Sequence, residues 1–371
     1  MDINLPFKPS FSGEKGYETV KLTKMRKLLK EHGIDALLIT NEFNRRYMTG
    51  FTGTAGLALI SADDAVFITD FRYTEQAEKE IQGFRIVQHA ATIIEEVAIQ
   101  AEKMKLRTIG FEKDNVSFGL YELYNEKVEA ELKPVSGLVE KLRMVKTEDE
   151  LFILKKAAKI ADDAFTHICG FIKPGLTELE VSNELEFSMR SQGATSSSFS
   201  IIVASGLRGA LPHGVATNKV INSGDFITLD FGALYEGYIS DITRTVAVGE
   251  PSEKLKEIYE VTLAAQELAL KEIKPGMTGI EADAIARDYI KSMGYGEAFG
   301  HSTGHGIGLE VHEGPGLSSR SEIILEPNMT VTVEPGIYLP GIGGVRIEDD
   351  IIITVDGNER LTHSTKELLI L

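Results

Sequence analysis

Two acids stand where a buried strand has no ordinary use for them. Asp230 follows the apolar run FITL, and Glu334 follows TVTV in the same way. Each run reads as a strand, with Thr228 and Asp230 on one side of the pleat. A carboxylate left unpaired in an apolar interior is costly, so it must find a counter-charge or a metal. Asp241 and Glu348 follow 11 and 14 residues later, close enough for a hairpin to return each beside its partner. One isolated acid would be satisfied by a base such as Arg244 or Arg346. Four at matched hairpin positions ask for more, because like charges so close stay ionised only with compensation, and divalent cations supply it.

Histidines strengthen that reading. Four of the eight fall at His213, His301, His305 and His312, three of them in HSTGHGIGLEVHEGPG (301–316), among glycines that allow close backbone approach to a ligand. His32, His89, His167 and His363 read as ordinary surface or core residues. The H-E-x-x-H pattern of single-zinc peptidases is absent, since His312-Glu313 runs into Gly-Pro-Gly. An oxygen-rich donor set with one imidazole suits Mn²⁺ or Co²⁺, with Zn²⁺ and Fe²⁺ as further choices. No G-x-S-x-G elbow occurs, and Cys169, the one cysteine, sits in an apolar run without a base beside it, as a small buried side chain would. GHGIG and GIGGVR do not open a helix after a first strand, so they are not dinucleotide loops. A paired-carboxylate glycosidase would leave the histidines and the matched acids unexplained.

The elements that must position these residues repeat. IKPGLTELE (172–180) returns as IKPGMTGIE (273–281), each a Pro-Gly break followed by a threonine N-cap and an acid three positions on. The hairpins at 224–248 and 328–354 repeat in the same order. This predicts a duplicated α+β half-domain with approximate two-fold symmetry and a site at the joint. Ahead of it, from Lys21 to about Glu140, helix and strand alternate: helices over 21–33, 72–81 and 92–104, strands over 34–40, 85–89 and 108–112, and a hairpin over 56–70. That layout predicts an α/β domain with a parallel or mixed sheet. GFTGTAG (50–56) lacks the lysine of a phosphate loop and reads as a turn or interface loop. A charged segment (140–150) opens a long helix over 150–172. The expected division is an extension over 1–20, an α/β domain over 21–145 and a second domain over 146–371.

Composition sets outer bounds. A chain of 371 residues exceeds what one core usually organises. The net charge of -17 repels polyanions, which argues against nucleic acid. A lone cysteine fits a reducing compartment. No signal sequence and no stretch of roughly 18 apolar residues is present, so the chain reads as cytoplasmic and not membrane-bound.

With these residues in place, the chain resembles the aminopeptidase P/prolidase family, M24 metallopeptidases of the pita-bread fold that act on Xaa-Pro bonds. The matching motifs are IIVASG (201–206), LPHG (211–214), LDFGALYEGYISDITRT (229–245), GHGIGLEVHEGP (304–315), VEPGIY (333–338) and GVRIEDD (344–350), in the family's order. The α/β half resembles the creatinase-like domain that precedes it there. The resemblance implies a metal set of Asp230, Asp241, His305, Glu334 and Glu348, with Glu348 bridging. It implies two divalent ions, Mn²⁺ first, and a bridging hydroxide that attacks the scissile carbonyl. It makes Glu334 the proton-handling acid, His213 and His312 contacts to substrate and tetrahedral intermediate, His301 a pocket histidine and Arg346 an electrostatic support. The substrates implied are Xaa-Pro dipeptides or peptides with proline second, and the assembly a homodimer. Leu207 and Arg208 fall where the family varies. A creatinase-like hydrolase lacks this ligand set, a methionine aminopeptidase lacks the first domain, and non-catalytic binding proteins on the fold typically lose ligands.

Overall fold

The structure, a computed structural model, describes residues 19–371. All but the last two residues of the expected N-terminal extension therefore lie outside the described residues. The chain divides into two compact units, Met1–Leu142 and Arg143–Leu371.

The first unit is a six-stranded mixed sheet with helices. Its strands run in the order Arg85–Gln88, Ala65–Thr69, Leu57–Ser61, Ala36–Ile39, Thr108–Glu112 and Glu131–Val135. Ala36–Ile39 pairs antiparallel with Leu57–Ser61 and parallel with Thr108–Glu112. The first helix, Val20–His32, stops because Gly33 adopts a left-handed conformation with φ 61° and bonds back to the last turn. Between the expected elements the fold adds a helix, Glu42–Thr49, started by Asn41, whose side chain accepts from the amides of Phe43 and Asn44. The glycine-rich stretch 50–56 is held by Arg45, whose guanidinium donates to the carbonyls of Gly53 and Gly56.

The second unit shows the duplication. One half carries helices Glu148–Phe171 and Glu178–Ser191, the other Glu253–Glu272 and Gly279–Ser292. Both second helices open with reciprocal capping boxes, Thr177 with Glu180 and Thr278 with Glu281. In the first half, Phe226–Phe231 pairs antiparallel with Ile242–Ala247 and with Ile202–Ser205. In the second, Thr330–Val333 pairs antiparallel with Asp349–Ile353 inside a five-stranded sheet. Each half packs its sheet on its own helices, giving one apolar core around Phe165, Val203 and Leu229 and another around Ile258, Val331 and Ile351. One side-chain and one backbone hydrogen bond join the two hairpins: Thr245 Oγ1 donates to the Arg346 carbonyl at 3.0 Å, and the Glu348 amide donates to the Thr243 carbonyl at 3.1 Å. No described helix is long and apolar enough to cross a membrane.

Candidate metal centre

The acids sit at strand ends, where two facing hairpins deliver them to one place. Asp230 lies opposite Thr243 in the first hairpin, and Asp241 is the residue just before Ile242–Ala247. In the second, Val333 pairs with Asp349, so Glu334 and Glu348 are the next residues beyond that rung. Arg346 ends its own strand, Gly343–Arg346, and Glu348 lies in the short connection between it and the strand Asp349–Ile353.

His305 comes from the strand Gly304–Gly306, which lies so close to its neighbour that a Cβ at position 304 would fall 2.0 Å from the Thr332 carbonyl oxygen. That glycine admits a facing strand rather than a ligand, contrary to the expectation from sequence. The His305 amide donates to Thr332 Oγ1 at 3.1 Å, and that hydroxyl donates to Glu334 Oε1 at 3.2 Å. The Nδ1 of His305 lies 3.1 Å from the Gly306 carbonyl, an arrangement that places the proton on Nδ1 and leaves Nε2 a free acceptor. Burial holds this imidazole below its ordinary pKa, so it is neutral.

One candidate ligand atom each from Asp241, His305 and Glu348 lie within 4.8 Å of one another. His305 Nε2 is 3.3 Å from Glu334 Oε1 and 3.8 Å from Asp241 Oδ2. Asp230 lines the same cavity, but its Oδ2 accepts from the Arg346 guanidinium. Asp241 Oδ1 is buried without a hydrogen-bond partner among the described residues. Burial first, and the neighbouring acids second, push Asp241 and Glu348 well above the usual carboxylate range. Glu334 is pushed up to about 8, by burial and then by the charge of Asp230 against the opposing pull of Arg346. Orphaned oxygen, crowded acids and a neutral imidazole are the donors a divalent cation would satisfy, so the residues fit such a group.

The cavity, about 520 Å³, is also lined by Phe199, His213, His301, His312 and Arg346. Arg346 is buried and fully engaged. Besides Asp230 it donates to Thr243 Oγ1 at 3.1 Å, the Pro212 carbonyl at 3.0 Å and the Tyr338 hydroxyl at 2.7 Å. Tyr338 in turn lies 2.9 Å from His301 Nε2, while His301 Nδ1 lies 2.9 Å from the Ser302 carbonyl. Burial and the nearby Arg346 charge bring His301 down to about 4, so it is neutral, with its proton on Nδ1 and the tyrosine donating to Nε2. His312 stands at the rim with its ring 4.3 Å from that of His305.

His213 lies on a loop organised from below by Glu178, an acid in the first turn of its helix. Fully buried, Glu178 accepts from the Ser205 amide and hydroxyl at 2.8 Å, the Thr217 hydroxyl at 2.8 Å and the Arg208 guanidinium. Glu178, Tyr338, Thr243 and Thr332 are participants that sequence reasoning did not single out. Tyr338 stood inside the motif VEPGIY, and Thr332 two positions before Glu334, which was the available signal. Arg244, offered as a partner for a site acid, instead pairs with Asp349 at 2.7 Å. His167 pairs with Glu184 at 2.6 Å, away from the cavity. Cys169 is half-buried at the edge of the first core, and burial pushes its thiol up to about 11, which leaves it a poor nucleophile.

Known proteins share this architecture over nearly the whole chain. The model of metallopeptidase family M24 matches residues 153–355, and that of the creatinase/prolidase N-terminal domain matches residues 21–145. The uncharacterized peptidase YqhT of Bacillus subtilis is 62% identical over 95% of this chain and all of its own length. A solved Xaa-Pro dipeptidase from Bacillus anthracis is 64% identical with a TM-score of 0.94, covering 95% of this chain and 99% of that one. An X-Pro aminopeptidase from Thermotoga maritima is 43% identical with a TM-score of 0.87, covering 94% of this chain and 99% of that one. The resemblance read from the motifs therefore holds, and the chain belongs to metallopeptidase family M24, with a creatinase/prolidase domain ahead of a pita-bread catalytic domain.

Proposed function

We propose that this chain is a metal-dependent peptidase that cleaves Xaa-Pro bonds and releases the residue before proline. The observation that carries this reading is the convergence of Asp241, His305, Glu348 and Glu334 in the cavity that also presents His213, His301, His312 and Arg346. The names of the Bacillus anthracis and Thermotoga maritima relatives supply the Xaa-Pro specificity.

Asp230, Asp241, His305, Glu334 and Glu348 would hold two divalent ions. Mn²⁺ is the first choice for so oxygen-rich a set. When bound, the metals supply Lewis-acid polarisation of the scissile carbonyl and an acidified water. Glu334, whose Oε1 lies 3.3 Å from His305 Nε2, takes the attacking water's proton and returns it to the departing proline nitrogen. His213 and His312 donate to the carbonyl oxygen as charge develops there. Arg346 and Tyr338 hold His301 and the first hairpin in place. Recognition of a free α-amino group by the acids near the metals would limit cleavage to the first bond. We further read the chain as a cytoplasmic homodimer, in line with the family resemblance; light scattering should return twice the 40.7 kDa chain mass.

Hydrolysis of Ala-Pro, Ala-Pro-Ala and Ala-Ala by Mn²⁺-loaded protein tests the reading. Cleavage of one or both proline substrates, with Ala-Ala resistant, is expected. The ratio of the two proline substrates separates dipeptidase from aminopeptidase. Equal cleavage of Ala-Ala would defeat the proline specificity.

A further inference from the structure

Behind the rim that carries His312 lies a buried charge cluster that does not line the cavity. Glu313, whose side chain is only 5% exposed, accepts from Lys146 Nζ at 2.8 Å and from Arg143 Nη2 at 2.5 Å. The same Arg143 nitrogen is 2.7 Å from Glu310 Oε2. Arg143 and Lys146 are themselves almost wholly buried. Two cations thus meet two acids on either side of His312, Glu310 in its loop and Glu313 at the start of the strand Glu313–Leu317 that follows.

That loop is wound around the Glu313 carboxylate. A Cβ on Gly308 would lie 2.4 Å from Glu313 Oε1, and the Glu310 carbonyl accepts from the Gly308 amide at 3.3 Å. The far side is tied to the first hairpin by the Ile239 amide, which donates to the Gly308 carbonyl at 2.9 Å. Lys146 is anchored in turn: its amide donates to the Asn328 carbonyl at 2.9 Å, and Val145 forms a bridge with Met329. Arg143 and Lys146 therefore connect the base of the second hairpin, which delivers Glu334 and Glu348, to the loop that delivers His312.

Buried ion pairs add little net stability compared with well-packed apolar residues, and their best-attested use is to fix one arrangement over another. We propose that Arg143, Lys146 and Glu313 are positioning residues that set His312 over the metal centre, holding its loop from behind without touching substrate. The proposal rests on the reading of His312 as a substrate contact. A displacement of an ångström or so at such a group lowers turnover by roughly 10²-fold, so the cluster acts on rate rather than on metal binding.

The test is a mutant cycle on Ala-Pro hydrolysis by Mn²⁺-loaded protein, with metal content measured for each variant. Glu313→Gln and Lys146→Met should each lower kcat by roughly 10- to 100-fold with metal content unchanged, and Lys146→Arg should recover most of the rate. In a His312→Ala background, Glu313→Gln should cause no further loss. A Glu313→Gln loss of the same size in both backgrounds, or no loss at all, would overturn the proposal. The paired variant Lys146→Met with Glu313→Gln removes both charges; it should regain thermal stability but not kcat, whereas recovery of both would make the cluster merely structural. If His312→Ala alone is fully active, the substrate-contact reading has failed instead. The tether is then judged by histidine side-chain NMR of the Zn²⁺-loaded protein. A His312 resonance shifted by Glu313→Gln, with His363 unmoved, supports it, and an unshifted one overturns it.

Discussion

Arg346 donates from Nη2 to Oδ2 of Asp230, so an acid delivered by one hairpin is matched by a cation delivered by the other. The sequence posed an arginine partner and a metal as alternative fates for such an acid. The structure gives Asp230 the arginine while leaving Asp241 Oδ1 unpartnered a short distance away.

Replacing Arg346 should be expensive even with lysine, because the guanidinium serves four acceptors in a fixed geometry. Arg346→Lys is expected to lower kcat/KM for Ala-Pro by about 10²-fold and to lower Tm, since Asp230 loses its planar partner. Steady-state kinetics with calorimetry on the same preparation checks both.

Metal should stabilise the protein more as pH rises. Without metal, Glu334 titrates at about 8 against an ordinary 4.5, so between those values the folded state binds more protons than the unfolded one. Metal-free stability then falls as pH rises through that window. Metal relieves the same crowding and adds about 4 kcal/mol at a free concentration 1,000 times Kd. The difference in Tm between Mn²⁺-loaded and chelated protein should be larger at pH 8 than at pH 6.

His301 makes the opposite contribution. Its folded pKa of about 4 lies below the ordinary 6.5, so the stability it contributes is complete above 6.5 and is lost as pH falls toward 4. Wild-type protein should lose roughly 2 kcal/mol from this group between pH 7 and pH 5. Urea unfolding of His301→Gln at the two values should show a drop smaller by about that amount.

Glu178 offers a test of the His213 loop. Burial works to raise its carboxyl, but hydrogen bonds from Arg208, Ser205 and Thr217 hold it below the usual range. Glu178→Gln should cost roughly 2–3 kcal/mol of stability at pH 7 and raise KM for Ala-Pro. In wild type the same stability should fade as pH drops below about 4.5. Denaturant unfolding measured from pH 7 down to pH 3 reads it directly.

How much of this was legible in the chain depends on how local each feature is. The capping boxes at Thr177 and Thr278 and the turn at Gly33 are settled within a few residues, and they formed as read. The matched acids at 230, 241, 334 and 348 showed because carboxylates end apolar strands at corresponding places in two similar hairpins. Helix Glu42–Thr49 escaped because it is short and only Asn41 announces it. Tyr338 escaped because its role depends on His301, 37 residues away, and on Arg346 from the next strand. Glu313 is separated from Arg143 by 170 residues, a pairing no local pattern carries. Gly304 beside His305 was visible, but its purpose was set by the facing strand at Thr332.

In the proposed mechanism Asp241 and Glu348, with His305, hold the metal on which Xaa-Pro cleavage depends. The direct measurement is metal stoichiometry and Ala-Pro hydrolysis, side by side, for wild type and Glu348→Gln after chelation and Mn²⁺ reloading. Wild type should lose activity on chelation, then recover it as about two ions per chain are taken up. Glu348→Gln should bind fewer ions and remain inactive. Ala-Pro hydrolysis that survives complete chelation, or a Glu348→Gln protein with full metal and full activity, would rule this metal centre out as the seat of cleavage.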